Sequence, residues 1–171
     1  MRTSLWTPVV VGLALGGLAC GHDDMDKISD HAETFEEYLA DYESQMREHG
    51  QVVMDATSLA LIQTEESRHR ERGEEHMAGM NHEMGDMMGC MGSGGQGPHG
   101  AMVWDDLEVM AEEMEAHQGA MLDAGSLEGA SAEEARHGDA MADMMSDMRS
   151  HVGSMMEEAG DLACPHHGGD Q

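Results

Sequence analysis

The sequence has few basic and few aromatic residues. Eight lysines and arginines stand against 35 aspartates and glutamates, which gives a formal net charge of −27. Nucleic acids and anionic lipid surfaces both require a positively charged protein face, so binding to either is excluded. Metal cations and basic molecules remain as partners, and no feature of the sequence identifies a protein partner.

Branched aliphatic residues are also scarce after the signal-like N-terminal segment, where methionine and alanine take their place. Such a composition with so high a net charge is also typical of disordered chains, which is the alternative to a folded domain. Large apolar residues are too few for a good porphyrin pocket, and no Cys-x-x-Cys-His motif is present, so the sequence argues against haem. No nucleophile and base pair or phosphate-binding loop stands out, which predicts a protein that is not an enzyme.

The N-terminal segment has the layout of a signal peptide. One charge at Arg2 precedes an apolar run from Leu5 to Ala19. The run is shorter than the roughly 20 apolar residues of a membrane span and is followed by polar residues. Residues 1–19 are therefore predicted to be a signal peptide that directs export.

Gly17-Leu18-Ala19-Cys20 resembles a bacterial lipobox, although that family usually has leucine at the position of Gly17. The resemblance implies lipidation of Cys20 after cleavage, with residues 20–23 as a tether. The protein is then expected to face the periplasm from the outer or inner membrane, held by the lipid anchor only. A plain secretory signal cut near Ala19 is the alternative.

Apolar residues recur at helical spacing in four stretches of the remaining chain, and no convincing strand pattern appears. We predict an all-α domain over residues 24–163: a four-helix bundle, up-down-up-down by preference, with a ferritin-like crossover as the other topology. Glycines and Pro98 predict a flexible Met/Gly/His-rich linker at residues 78–100 and a His-containing tail at 164–171. The predicted helices are 24–49, ended by Gly50, 51–77, 101–124, and 131–159 with Ser131 as N-cap.

Cys90 and Cys164 are the two cysteines that remain once Cys20 is lipidated. In an up-down-up-down bundle both lie at the same end. The oxidising environment outside the cytoplasm then favours a disulfide between them. Free or metal-bound thiols are the alternative.

The segment from His76 to Met91 has thioether, imidazole or thiol groups every two to four residues. Soft thioethers select Cu(I) or Ag(I). Met77-Ala78-Gly79-Met80-Asn81-His82 resembles the Met-rich repeats of periplasmic copper-resistance proteins, which implies copper or silver binding. An exposed glycine-rich loop has no packing use for six methionines, which favours metal over an inert loop. The predicted ligands are His76, Met77, Met80, His82, Met84, Met87, Met88 and Met91.

Histidines share the apolar faces of all four predicted helices. The position of each histidine along the bundle axis is counted from the end of the bundle near Gly50, at about 1.5 Å per residue. His31, His69 and His151 then fall in one layer, and His117 and His137 form a looser second layer with His49. We predict copper or zinc sites from these histidines, with Glu66 beside them. The alternative is that each histidine merely hydrogen-bonds to a carboxylate in a wet core.

Two Glu-x-x-His pairs, Glu66 with His69 and Glu134 with His137, have the spacing used by di-iron carboxylate bundles. In the predicted geometry they meet only if the linker is a crossover. Such a site also needs an inward glutamate on each of the first and third helices, for which Glu37 and Glu113 are the nearest candidates.

The stretch Met114 to Met121 resembles the Met-x-x-His-Gln-Gly-Ala motif of an exported family of unknown function with a ferritin-like helical fold. That family usually has two adjacent histidines where this chain has Ala116-His117, so a paired-histidine site does not carry over. The resemblance implies an exported helical bundle only.

The function expected from the sequence is binding or storage of Cu(I) or Ag(I) by an exported, lipid-anchored bundle, with iron or zinc as weaker alternatives to copper. A metal-free envelope protein that packs its methionine-rich faces on a partner is the second hypothesis. A di-iron oxidase or storage protein of ferritin-like fold is the third.

Overall fold

The protein folds into four long α-helices. A computed structural model describes residues 22–91 and 97–163, with side chains over 25–91 and 97–160. Within these residues no strand occurs, and the predicted all-α four-helix bundle is confirmed. The helices are α1 (His22–Asp55), α2 (Leu59–Met91), α3 (Pro98–Asp123) and α4 (Leu127–Ala163).

Consecutive helices run antiparallel because their connections are short. The segment between α2 and α3, residues 92–97, spans at most about 20 Å, whereas a crossover would have to run back along a helix of roughly 50 Å. α1 packs against α2 and α4, and α3 packs against the same two helices. The bundle is therefore up-down-up-down, and the ferritin-like crossover is excluded.

Several predicted helix ends were wrong, among them the end of α1 and the start of α4. Gly50 lies inside α1, which continues to Asp55. α4 begins at Leu127 because Ser126, and not Ser131, caps it: the Ser126 hydroxyl accepts the N–H of Gly129 at 3.0 Å. The turn that joins α1 to α2 thus lies at residues 56–58, several residues later than predicted. This shift changes which side chains of different helices lie at the same level along the bundle axis.

The predicted flexible linker at 78–100 is also wrong for most of its length, since α2 continues to Met91. The methionines of this segment recur at spacings of three and four, so they form one face of a helix. Burying them outweighs the roughly 1 kcal/mol that each glycine costs a helix. The buried methionines of this face are Met77, Met80, Met84, Met87 and Met91.

The core consists of two apolar clusters. The larger one is rich in methionine and extends from Met46 and Met110 towards the end of the bundle where α2 meets α3. The smaller one lies beside the turns at 56–58 and 124–126 and consists of Val53, Ile62, Met121 and Ala130. None of the described helices has an apolar stretch long enough to cross a membrane.

Candidate metal centre

A buried polar layer separates the two apolar clusters. On α1, His49 lies between Met46 of the larger cluster and Val53 of the smaller one. The other three helices contribute to the same layer. Its side chains are at most 6% exposed: Gln45 and His49 from α1, Glu65, Glu66 and His69 from α2, His117 from α3, and Glu134 and His137 from α4.

The four histidines form two stacked pairs. His49 stacks on His69 with ring centroids 4.0 Å apart, and His117 stacks on His137 at 3.8 Å. The pairs meet edge to face, at 5.9 Å between His49 and His117 and 5.8 Å between His69 and His137. Each pair thus comes from one antiparallel helical hairpin, α1 with α2 or α3 with α4.

Two carboxylates lie between the histidine pairs. Oε2 of Glu66 is 3.6 Å from Nε2 of His49 and 3.5 Å from Nε2 of His117. Oε2 of Glu134 is 3.1 Å and 3.4 Å from the same two nitrogens. Each carboxylate therefore faces one histidine of each pair, and these two carboxylates and two histidines are candidate ligands for a metal ion.

The inward-facing atoms of this layer lack hydrogen-bond partners among the described residues, because the short contacts do not have hydrogen-bond geometry. Leaving a buried polar group without a partner costs about 1–3 kcal/mol, so six in one place need an explanation. Metal ions would satisfy them all. The six atoms are Nε2 of His49, His69, His117 and His137, and Oε2 of Glu66 and Glu134.

The outward-facing Nδ1 atoms lie beside polar side chains. Nδ1 of His137 is 3.0 Å from Glu113, and Nδ1 of His117 is 3.3 Å from Glu133. In the other hairpin, Nδ1 of His69 is 3.3 Å from the amide of Gln45, and Nδ1 of His49 is 3.8 Å from Glu65. Metal-binding histidines almost always donate their other ring N–H to such an acceptor, as His137 and His117 can to Glu113 and Glu133. The amide nitrogen of Gln45 can only donate to Nδ1 of His69, and Nδ1 of His49 has no hydrogen-bond partner among the described residues.

The electrostatics of the layer hold some of its histidines neutral. Burial, together with the neighbouring histidines, lowers the pKa of His69 to about 2. Burial also lowers the pKa of His137. For His117, burial opposes protonation, but attraction to Glu66, Glu134 and Glu133 outweighs it and raises the pKa. A neutral imidazole is the form that binds metal.

The two hairpins are related by an internal repeat with a constant offset. Glu65-Glu66-Ser67-Arg68-His69 of α2 corresponds to Glu133-Glu134-Ala135-Arg136-His137 of α4. The same offset relates His49 to His117. The polar layer is thus built from two copies of one half-site, and this repeat is the signal in the sequence that would have identified it.

The side chains of this layer could hold a metal ion. Ring nitrogens of His49, His69 and His117 lie within 4.8 Å of one another, close enough to surround a metal ion. Di-iron and di-manganese bundles use two Glu-x-x-His pairs on two helices and a lone glutamate on each of the other two. Here the Glu-x-x-His pairs are present on α2 and α4, and His49 and His117 occupy the positions of the lone glutamates. Imidazole and carboxylate together suit borderline ions such as iron, zinc and copper.

Several predicted site residues come together in this layer, although not as expected. Glu66, His69, His117 and His137 are all members, and the two Glu-x-x-His pairs meet without a crossover, contrary to the prediction. Glu37 lies on the exposed side of α1. Glu113 of α3 lies only on the outer side of His137. The buried side chains that α1 and α3 contribute to the layer in place of these two glutamates are His49 and His117.

His31 and His151 do not share a layer with His69. His31 and His49 are about five turns apart along α1, or about 27 Å. His31 bonds instead to Glu83 at 2.7 Å, and His151 bonds to Asp106 at 2.6 Å. The error came from the misplaced turn, which moved His69 towards the wrong end of the bundle.

The predicted methionine ligands lie mostly inside the larger apolar cluster. Met77, Met80, Met84, Met87 and Met91 are buried, and Met88 is partly buried against them. His76 is half-buried beside the rings of Tyr38 and Tyr42, whereas His82 is exposed. The methionines therefore pack in the core. The prediction of metal binding assumed that they were exposed in a loop without a packing role, and that assumption is wrong.

Some predictions concern residues outside the described part of the chain. The signal peptide and the lipidation of Cys20 fall within residues 1–21, and Cys164 falls within the tail at 164–171. Cys90 lies in the last turn of α2, partly buried against the larger cluster. The lipid anchor and the disulfide stay predictions.

Comparison with known proteins returns no relatives. No protein-family model, no curated protein and no solved structure matches this chain. The copper-resistance and ferritin-like resemblances likewise stay predictions.

Proposed function

We propose that this protein binds a pair of divalent transition-metal ions at the buried layer between its two hairpins. The observation that carries the proposal is the convergence of six buried, unpartnered ligand atoms from all four helices. His49 with His117, and His69 with His137, whose rings meet edge to face, would each hold one ion, with Glu66 and Glu134 as carboxylate ligands between the two hairpins.

The charge of the ligand set favours divalent over trivalent ions. A di-iron carboxylate bundle has four glutamates at its centre, whereas this layer has two, because His49 and His117 take the place of the others. Two fewer negative charges stabilise Fe(III) less. Imidazole-rich sites suit zinc and copper, and zinc and copper are therefore placed ahead of iron.

The number of ligands favours binding over catalysis. Two histidines and two carboxylates would supply four ligands to each ion, which is the number in the tetrahedral shell of a structural zinc site. A catalytic site would keep one position open for water or substrate. The net charge of −27 would concentrate cations around the protein, as capture or storage requires.

The test is a titration of the metal-free protein with Zn(II), Cu(II), Fe(II) and Mn(II) against a competing chelator. We expect two ions per chain with Kd below about 1 µM for zinc and copper, equivalent to more than about 8 kcal/mol each. The double variant Glu66→Gln with Glu134→Gln should lose this binding. Tight binding that survives in that variant would overturn the proposal.

Cu(I) binding by methionine is a second candidate, supported by the observation that buried methionines of α2, α3 and α4 share one cluster. Leucine is close to methionine in volume, so the double variant Met80→Leu with Met84→Leu should keep the fold and lose Cu(I) affinity if sulfur is the ligand. Unchanged Cu(I) affinity would assign these methionines to packing alone. His82→Ala tests the exposed end of the same segment.

A metal-free structural bundle is the third candidate and has the least support. Without metal, the layer keeps six unpartnered ligand atoms in its interior, each at a cost of about 1–3 kcal/mol. A purely structural protein would be more stable with apolar residues there. The layer therefore favours metal over the envelope-scaffold hypothesis.

A further inference from the structure

The two hairpins differ at a second level of the bundle, about five helical turns from the buried layer. The constant offset of the internal repeat relates His31 to His99 and Glu83 to His151. In the α1–α2 hairpin, His31 and Glu83 form one contact between an imidazole and a carboxylate, at 2.7 Å. In the α3–α4 hairpin a histidine takes the place of that carboxylate, so two imidazoles lie side by side.

The geometry of these two imidazoles is close to that of a shared metal ion. The ring centroids of His99 and His151 are 6.3 Å apart, and the ring planes are tilted by 37°. Two imidazoles that bind one tetrahedral ion at about 2.0 Å have centroids about 5 Å apart, so the rings would approach each other by about 1 Å. Their side chains are 31% and 28% exposed, which leaves them room for this movement.

Each imidazole also lies beside a carboxylate. Asp106 accepts the Nδ1–H of His151 at 2.6 Å, which leaves Nε2 of that ring as the nitrogen that can bind an ion. Oε1 of Glu158 is 3.5 Å from Nε2 of His99, and Nδ1 of His99 is buried without a hydrogen-bond partner among the described residues. An exposed ion pair such as His99 with Glu158 contributes at most about 1 kcal/mol, so it competes only weakly with a metal ion.

These two carboxylates belong to the α3–α4 hairpin alone. At the offset of the repeat, Asp106 corresponds to Tyr38 and Glu158 corresponds to Cys90. The ring of Tyr38 packs against that of His76. The α1–α2 hairpin therefore lacks the second imidazole and both carboxylates, and it serves as an internal control.

We propose that His99 and His151 form a second metal site, accessible to solvent on the α3–α4 hairpin and separate from the buried layer. It binds a divalent ion that suits imidazole, Cu(II) or Zn(II), with Glu158 as the nearest carboxylate and water in the remaining positions. Asp106 is the positioning residue that orients His151. Because this site offers fewer protein ligands than the buried layer, we expect weaker binding, with Kd above about 1 µM.

The first test is a Cu(II) titration of the full chain, in wild type and in the double variant His99→Gln with His151→Gln. We expect the double variant to bind one weakly held ion fewer per chain than wild type. His31→Gln is the matched control, because His31 is the counterpart of His99 in the repeat and its side chain is exposed to a similar extent, 30%. This control should bind as many ions as wild type.

Histidine side-chain NMR locates the weakly bound ion, since paramagnetic Cu(II) broadens the resonances of nearby nuclei. We expect broadening at His99 and His151, in wild type and also in the layer variant Glu66→Gln with Glu134→Gln. Asp106→Asn should weaken this binding by about 10–100-fold, which is the typical effect of losing the partner of a ligand histidine.

The outcomes separate this site from the buried layer. If the variant without His99 and His151 binds as many Cu(II) ions as wild type, or if broadening is confined to the four histidines of the layer, the second site is overturned and the layer stands. If weak binding that depends on His99 and His151 is present but tight binding is absent, the second site stands and the proposed function is overturned. Circular dichroism of each variant confirms that it is folded.

Discussion

Nε2 of His49 on α1 lies 3.1 Å from Oε2 of Glu134 on α4, and neither atom has a hydrogen-bond partner among the described residues. The two residues belong to different copies of the internal repeat. Each half of the chain therefore supplies ligand atoms that face the other half. A metal ion between them would fasten the two hairpins together, so metal binding and stability are expected to be linked.

The first prediction is that zinc raises the thermal stability of the wild-type protein. A ligand present at about 1,000 times its Kd stabilises the folded state by about 4 kcal/mol, which raises the Tm of a domain of this size by roughly 8–16 °C. Glu66→Gln should abolish most of this shift, because Glu66 faces both histidine pairs. Thermal unfolding followed by circular dichroism, with and without Zn(II), measures it.

Glu71→Gln is the matched control, since it removes the same charge from an exposed position on the same helix. It should keep the full zinc-dependent shift. An equal loss of the shift in both variants would mean that zinc acts through general surface charge and not through the buried layer.

The second prediction concerns the pH dependence of the metal-free protein. Burial lowers the pKa of His69 to about 2 and also lowers that of His137, so both stay neutral in the folded state and become protonated on unfolding below about pH 6.5. Their contribution to stability is therefore lost as the pH falls. His117, with a raised pKa, acts in the opposite sense: its contribution is present below about pH 6.5 and is lost as the pH rises through its folded pKa.

Below about pH 6.5 His117 is protonated in both the folded and the unfolded state and adds no slope. Only the lowered pKa values of His69 and His137 then act, and stability falls on acidification by up to about 1.4 kcal/mol per pH unit for each of them. Urea unfolding in the presence of a chelator, between about pH 8 and about pH 5, measures this slope. His69→Leu should make the slope smaller. A metal-free protein whose stability rises as the pH falls below about 6.5 would contradict the lowered pKa values of His69 and His137.

The bundle and many residues of the candidate site could be predicted from the sequence, but the arrangement of those residues could not. Helical periodicity identified four helices, and spacing identified Glu66, His69, Glu134 and His137 as candidates. Glycine was given too much weight at Gly50 and at residues 78–91, where packing of one apolar face overrides helix propensity. Because the turns were misplaced, the predicted position of His69 along the bundle axis was wrong, and His69 was assigned to the layer of His31 and His151.

The role of His49 as the candidate ligand on α1 was missed for a chemical reason. Known di-iron bundles suggest a lone glutamate on α1, and no glutamate there lies on the buried seam. His49 does, and it is related to His117 by the same offset that relates the two Glu-x-x-His pairs. The internal repeat, and not the pattern of di-iron bundles, therefore identifies His49 as a member of the layer.

The third prediction tests whether residues 78–91 are helical, using two glycines of that segment. A Cβ added at Gly79 would lie 2.5 Å from ring atoms of Tyr38, whereas one added at Gly85 would meet nothing within 4 Å. Gly79→Ala should therefore destabilise the protein by about 1–3 kcal/mol through overpacking. Gly85→Ala should stabilise it by about 0.5–1 kcal/mol through better helix propensity. Urea unfolding of both variants that showed no change from wild type would instead indicate a flexible segment.

The fourth prediction tests the role of the buried methionines in the fold. Met80 is fully buried in the larger cluster, so Met80→Ala should leave a cavity and cost about 2–5 kcal/mol. Met80→Leu conserves volume and should cost less than about 1.5 kcal/mol. The control is Met54→Ala, because Met54 is 62% exposed near the end of α1 and its loss should change stability by no more than about 0.5 kcal/mol. Free energies of unfolding from urea titrations of the metal-free proteins separate these values. If Met80→Ala were as mild as Met54→Ala, the segment would have no packing role, and the methionines would again need a function such as binding Cu(I).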